Sequence, residues 1–205
     1  MENDFETNVF INCPFDDEFI PLLRPLLFTI LYCGLNPRIA SERHDSGEVR
    51  LHKIAKLIEQ SKYSIHDLSR CQAKEEGDHF RMNMALELGL DLGCRYFHPD
   101  KSEKLTLITA ENRNAYNRAM SDWAHADITQ HNNDPEALVE GVRDWLTSSG
   151  VAGLHSSTRI WDSFNEMMSD FYTQKKDDGF NERQIQFTLP ITEFIEFIKT
   201  WLPKG

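Results

Sequence analysis

The 205-residue chain predicts an α/β protein built around a parallel sheet. Three observations predict it. A strand-like segment followed by a helix-like one recurs five times, as in a parallel sheet covered on both faces. The first run, Val9-Phe10-Ile11-Asn12-Cys13, is apolar almost throughout, as a buried strand is. Hydrophobic residues make up 40% of the chain, enough to build such a core.

The first run ends in Pro14-Phe15-Asp16-Asp17, a turn in which Asp16 or Asp17 can cap the following helix. In that helix Phe19, Leu22, Leu23, Leu26, Leu27, Ile30 and Leu31 recur at three- and four-residue spacing and make one broad apolar face. Pro21 suits its first turn, Pro25 should bend it or shift its start, and Gly34 can stop it. A second strand is expected over 37–40, a polar loop over 41–47 and a helix over 48–61. Tyr63-Ser64-Ile65-His66-Asp67-Leu68 reads as the third strand. A charged loop over 71–78 and a helix over 80–93 follow it. A fourth strand is expected over 104–109, a helix over 112–125 and a short fifth strand over 126–129. Asp134-Pro135 then opens a helix running to about Leu146, with Asp134 as its cap.

Right-handed crossovers leave few topologies, and the strand order 2-1-3-4-5 of a flavodoxin-like three-layer sandwich is the simplest. Residues 147–157 are small and polar and read as a linker, which divides the chain into an α/β domain over 1–148 and a helical extension over 149–205. In the extension, Ile160, Phe164, Met167, Met168, Phe171 and Tyr172 mark one amphipathic helix. Gln184 to Thr188 suggests an edge strand, and Pro190 opens a last helix carrying Ile191, Phe194, Ile195, Ile198, Trp201 and Leu202. An extension this small should dock on the main domain or on a second subunit, so a homo-oligomer is one expectation.

The formal net charge of -11 repels a phosphate backbone and argues against general nucleic-acid binding. A small nucleotide is compatible with it, since a local nest of backbone N–H groups suffices. No two of the four cysteines have CxxC spacing, so no zinc site is indicated. The apolar stretch 19–33 is interrupted by Pro21, Arg24 and Pro25 and is too short to span a bilayer, so no membrane partner is expected. A polar, acidic start and free thiols point to the cytoplasm.

In an open parallel sheet, ligands bind beyond the carboxyl ends of the strands at the switch point. That picks out the loop 12–17, the loop 41–47, the end of the third strand and the start of the next helix, and the first and third of these should flank one crevice. Glu87 is the sharpest candidate for chemistry. Its neighbours Met84, Leu86, Leu88 and Leu90 are apolar, and a carboxylate among apolar groups acquires a raised pKa suited to nucleophilic or acid–base work. The alternative is a Glu on the solvent face of an amphipathic helix. Asp67 at a strand end either contacts a sugar hydroxyl or turns the chain. Asn12, Phe15 and Asp16 in the first loop and Asn83 in the helix of Glu87 are candidate ligand contacts, and Arg43 and Arg70 could hold a phosphate. No GxGxxG, P-loop, GxSxG or HExxH pattern is present, and nothing calls for a required cofactor.

Three segments carry a resemblance: Val9-Phe10-Ile11-Asn12-Cys13-Pro14-Phe15-Asp16, Ser64-Ile65-His66-Asp67-Leu68-Ser69, and Arg81-Met82-Asn83-Met84-Ala85-Leu86-Glu87-Leu88-Gly89. A fourth, Ser121-Asp122-Trp123-Ala124-His125-Ala126-Asp127-Ile128, looks like a stretch found in small bacterial proteins of the same kind. Over about residues 8–146 the chain resembles the Toll/interleukin receptor (TIR)-like group and the related nucleoside deoxyribosyltransferase-like group. The resemblance implies a Glu on the helix after the third strand that serves N-glycosidic bond chemistry, the position held by Glu87. Asp67 resembles the strand-end Asp of the transferases, and 41–47 stands where a gating or contact loop lies in TIR domains. Asn83-Met84-Ala85 replaces the aromatic–Cys pair that often precedes the TIR Glu. The implied activity is cleavage of the base–ribose bond of NAD or another nucleotide, used in bacterial defence. The alternatives are a nucleotide sensor without turnover and a TIR-type assembly adaptor.

Overall fold

A computed structural model describes residues 4–42, 45–69, 82–113 and 127–203. Arg43, Arg70, the charged loop 71–78 and most of the expected helix 112–125, with the motif residues 121–126, lie outside the described residues. In chain order the elements are β1 (Asn8–Asn12), α1 (Ile20–Tyr32), β2 (Asn36–Ile39), α2 (Arg50–Glu59), β3 (Tyr63–Asp67), α3 (Met82–Phe97) and β4 (Leu105–Ala110). They continue with β5 (Ile128–Gln130), α4 (Pro135–Ser148), α5 (Ser157–Asp177) and α6 (Ile191–Trp201).

The five strands form one sheet in the order β2-β1-β3-β4-β5, and each neighbouring pair is parallel. With helices on both faces this is the flavodoxin-like three-layer arrangement expected from the alternation. Every residue of β1 and of β3 is buried, as the two central positions require. Alternate side chains of β1 face opposite layers. Val9 and Ile11 join the cluster containing α1 and α4, whereas Phe10 packs with Ile54, Leu57 and Ile58 of α2. Residues Met84, Leu88 and Leu92 of α3 cover Ile108, Ala110 and Ile128 of β4 and β5 on that second face.

Helix α1 is buried nearly all round, because it lies between the sheet and the C-terminal extension. Phe28 meets Phe164 of α5 at 5.6 Å and Trp201 of α6 at 6.1 Å between ring centroids. Arg24 donates to the carbonyls of Ile185 and Gln186 and lies 5.0 Å from the Phe194 ring centroid. The extension therefore docks on the α/β domain and continues its core. Residues Gln184–Thr188, expected as an edge strand, form a single π-helical turn instead. Its one buried residue, Ile185, plugs the cluster under α1, and Arg24 takes carbonyls that a sheet edge would otherwise use.

The stop signals act as expected. Gly34 adopts φ 77°, and Leu35 N–H donates to the Ile30 carbonyl while Gly34 N–H donates to the Leu31 carbonyl, which closes α1 with a Schellman motif. Asp134 accepts from the backbone N–H groups of Glu136 and Ala137 and caps α4. Pro25 is accommodated inside α1 rather than at its start.

Helix α4 reaches β5 through Gly141. A Cβ there would stand 2.4 Å from Thr129 Cγ2, and a β-branched strand residue has little freedom to yield. Gly141→Ala should therefore lower stability by about 1–3 kcal/mol, although Ala normally gains roughly 1 kcal/mol over Gly inside a helix. Thermal melts check this: the loss should shrink when Thr129→Ser removes the opposing methyl, and a Gly141→Ala chain melting at or above wild type would refute the close approach.

Candidate functional site

The strand order reverses between β1 and β3, which places the switch point where Asn12 and His66 stand side by side in register. Helix α3 passes over that point. Its buried stripe is Met84, Glu87, Leu88, Asp91 and Leu92, so Glu87 faces the sheet and not solvent. Glu87 and Asp91 lie on the same side of α3, one turn apart. They run between the apolar contacts of Met84, Leu88 and Leu92 and those of Leu90 and Cys94.

Glu87 is only 5% exposed and has no hydrogen bond among the described residues. Burial pushes its pKa up to about 7, and the Arg50 guanidinium at the start of α2 only partly opposes that shift. A carboxyl so placed exchanges its proton near neutral pH. An unpaired buried acid costs stability, and such costs are retained at sites where the group has work to do.

Beneath Glu87 lies a buried polar network that sequence reasoning missed. Asn12 Nδ2 donates to Met84 O and lies 2.9 Å from His66 Nδ1. His66 Nε2 lies 3.3 Å from Asp91 Oδ2, which also accepts from Ser64 and Thr106 hydroxyls. Lys104, fully buried, pairs with Asp91 Oδ1 at 3.0 Å and donates to the carbonyls of Ile58 and Ser61. Burial alone would raise the Asp91 pKa. The hydrogen bond from His66, the Lys104 ammonium and the Ser64 hydroxyl together hold it below the ordinary carboxylate range.

Asp67 points the other way, because it follows His66 in the strand. Its Oδ1 accepts from Ser69 N–H, and its Oδ2 accepts from Thr109 Oγ1 at 2.8 Å and His131 Nε2 at 2.9 Å. His131 Nδ1 accepts from Asn133 N–H, so its single proton sits on Nε2, toward Asp67 and Ser69. Although Asp, His and Ser meet here, Nε2 serves both partners, so no relay from Asp through His to Ser exists. Asp67 instead ties the ends of β3, β4 and β5 together. Cys13, buried just past β1, has its thiol pKa raised well above the ordinary value by burial and then by Asp67, Glu87 and Asp16. It stays a thiol and is a poor nucleophile.

The other expected contacts are spread out. Asp16 accepts from Phe19 N–H at 3.0 Å and closes the turn before α1. Phe15 is 43% exposed, and Asn83 is exposed at the start of α3. The structure thus brings together Asn12 and the helix of Glu87, with Asp67 on the opposite side of the sheet. Past the end of β2 and at the start of α2 opens a cavity of about 620 Å3 lined by Ser41, Glu42, Asp45, Glu48, Arg50 and Lys53, with Pro190 to Thr192 supplied by the extension. Arg50 links this cavity to Glu87. Among the described residues no three His, Cys, Asp or Glu side chains gather as a metal ion requires, and no helix is long and apolar enough to cross a membrane. In comparisons with known proteins the chain matches no family model, no curated protein and no solved structure.

Proposed function

We propose that the chain cleaves the base–ribose bond of NAD or a related nucleotide, with Glu87 as the reactive carboxylate. The observation that carries this reading is a buried carboxyl with no hydrogen bond among the described residues, at the switch point of a parallel sheet, its pKa pushed up by burial to about 7. In N-glycoside cleavage the C1′–N bond breaks and its electron pair leaves with the base. From NAD the pyridinium departs as neutral nicotinamide, and no proton donor is required. Positive charge then develops on the ribose. Anionic Glu87, in a site of low dielectric, stabilises that charge or bonds to C1′. Water completes the reaction by adding its oxygen to C1′, freeing the carboxylate and releasing one proton.

The cavity that Arg50 lines has room for part of a nucleotide, with Arg50 and Lys53 on its wall beside the carboxylates of Glu42, Asp45 and Glu48, so the sugar hydroxyls and base suit it better than the phosphates. The described cysteines Cys13, Cys33 and Cys94 are free thiols, which fits the reducing cytoplasm we assign to the protein. A place in bacterial defence rests on the TIR-like resemblance of the motifs around Asn12, Asp67 and Glu87.

Glu87 must be anionic to act, so base release should increase with pH, with a midpoint of about 7, and level off above it. Chromatography of NAD incubations between pH 5 and 9 checks the profile. A rate that falls across this range would require Glu87 to act as an acid and would overturn the mechanism.

A further inference from the structure

The amide of Asn12 has only one sustainable orientation. Its Nδ2 lies 2.9 Å from both His66 Nδ1 and Met84 O. With nitrogen in that place, its two hydrogens serve both acceptors. The opposite orientation would set an oxygen against the Met84 carbonyl and leave the amide hydrogens unused. His66 accepts at Nδ1 because its proton is on Nε2, where Asp91 Oδ2 takes it. Asp91 is itself fixed by Lys104, Ser64 and Thr106. The chain of contacts from Lys104 to Asn12 therefore sets which atom of Asn12 remains unused.

That atom is Oδ1. It is buried and has no hydrogen-bond partner. It lies on the side of the amide turned away from His66 and Met84, at the end of β1 and on the sheet face covered by the helix of Glu87. Buried acceptors are normally paired, so one left without a partner at the switch point beneath the helix of Glu87 is a place for a donor to enter.

We infer that Asn12 is a ligand-contacting residue restricted to accepting, so that it selects a hydroxyl or N–H group of the ligand, and that His66 and Asp91 are positioning residues which hold it in that state. The inference rests on the Glu87 reading only for the switch point over which the helix of Glu87 packs. A phosphate oxygen would be repelled by Oδ1, so the group bound here belongs to the sugar or the base. Asp67, whose oxygens are both engaged, is not available for this task.

The test is 1H–15N NMR of the full chain, with the Asn12 side-chain amide and His66 imidazole signals assigned by Asn12→Ala and His66→Phe. Phe at 66 keeps an aromatic ring against Phe10, which now meets the His66 ring edge-on at 5.8 Å, so the fold should persist. Without ligand, His66 should carry its proton on Nε2 alone. Addition of NAD or adenosine in a Glu87→Gln background should shift the Asn12 amide pair. Affinity for the same probe should fall about tenfold in Asn12→Ala and by a smaller factor in His66→Phe. A proton on His66 Nδ1, an Asn12 pair that neither probe moves, or unchanged binding by Asn12→Ala would each overturn the inference. Base release that needs Glu87 while the Asn12 pair stays unmoved would overturn it and leave the glycosidase reading intact. A shifted Asn12 pair without any base release would support it and remove that reading.

Discussion

A Glu87→Gln chain is expected to release no base and yet to melt at a higher temperature than wild type at pH 8. The sign follows from the raised pKa. The folded carboxyl holds its proton up to about pH 7, against an ordinary value of 4.5. Between those values the folded state binds more protons than the unfolded state, so stability falls as pH rises through this window. Above it the full cost of an unpaired buried anion is present, and a neutral amide of the same shape removes that cost. Near pH 4 both forms are protonated and the two chains should melt nearly together. Turnover should drop by about 10²–10⁴-fold or more, the range for losing a reacting acid or base. Melting curves at pH 4 and pH 8 beside base-release assays check both halves. A variant less stable than wild type at pH 8 would mean that Glu87 braces the fold, and the functional reading would lose its support.

Lys104→Met should be the most damaging single change to stability. The substitution removes the cation that pairs with Asp91 at 3.0 Å, takes the Lys104 donor from the Ser61 carbonyl and leaves the Ile58 carbonyl with the Ser61 N–H. Breaking a buried ion pair from one side costs about 3–5 kcal/mol, because the remaining charge is stranded. At roughly 2–4 °C per kcal/mol for a chain of this size, the melting temperature should fall by about 6–20 °C. Adding Asp91→Asn should recover part of the loss, since the amide oxygen still accepts from Ser64 and Thr106 while the stranded charge disappears. The same ion pair gives a pH signature. Asp91 is depressed below its unfolded value, so its contribution is present above about pH 4 and is lost as the solution becomes more acidic. A Lys104→Met chain that melts with wild type would contradict the stabilising role of the network.

Much of this architecture was legible because its signals are local. Val9 to Cys13 is apolar on both faces, Gly34 ends a helix through its positive φ, and Asp134-Pro135 starts one. The strand order followed from the handedness of the four crossovers that join five strands. Glu87 was legible from its apolar neighbours, but its direction was not, since a helix with Leu86 and Leu90 exposed or half-exposed has no clean polar face. The network under it was illegible for a different reason. Lys104 reads as the polar first residue of the fourth strand, and only the pairing of β3 with β4 beneath α3 brings it to Asp91. One clue was present: Ser64 and His66 are polar at alternate positions of a central strand, so the covering helix had to supply a polar partner. Asp91, four residues after Glu87 on the buried stripe, is that partner. His131 gave no signal, because its contact with Asp67 depends on the turn through Asn132 and Asn133, both at positive φ. Gln184 to Thr188 was misread because five residues with alternating apolar groups suit a strand as well as a plugged turn.

The central claim is that Glu87 breaks a base–ribose bond, and product analysis tests it most directly. Purified protein, wild type beside Glu87→Gln, would be incubated at pH 8 with NAD and a panel of nucleosides and nucleotides, and the mixtures separated by chromatography. The account predicts free base from the wild type only, with the matching ribosyl product in equal amount. No base from any substrate at high protein concentration, or equal release by both chains, would contradict it.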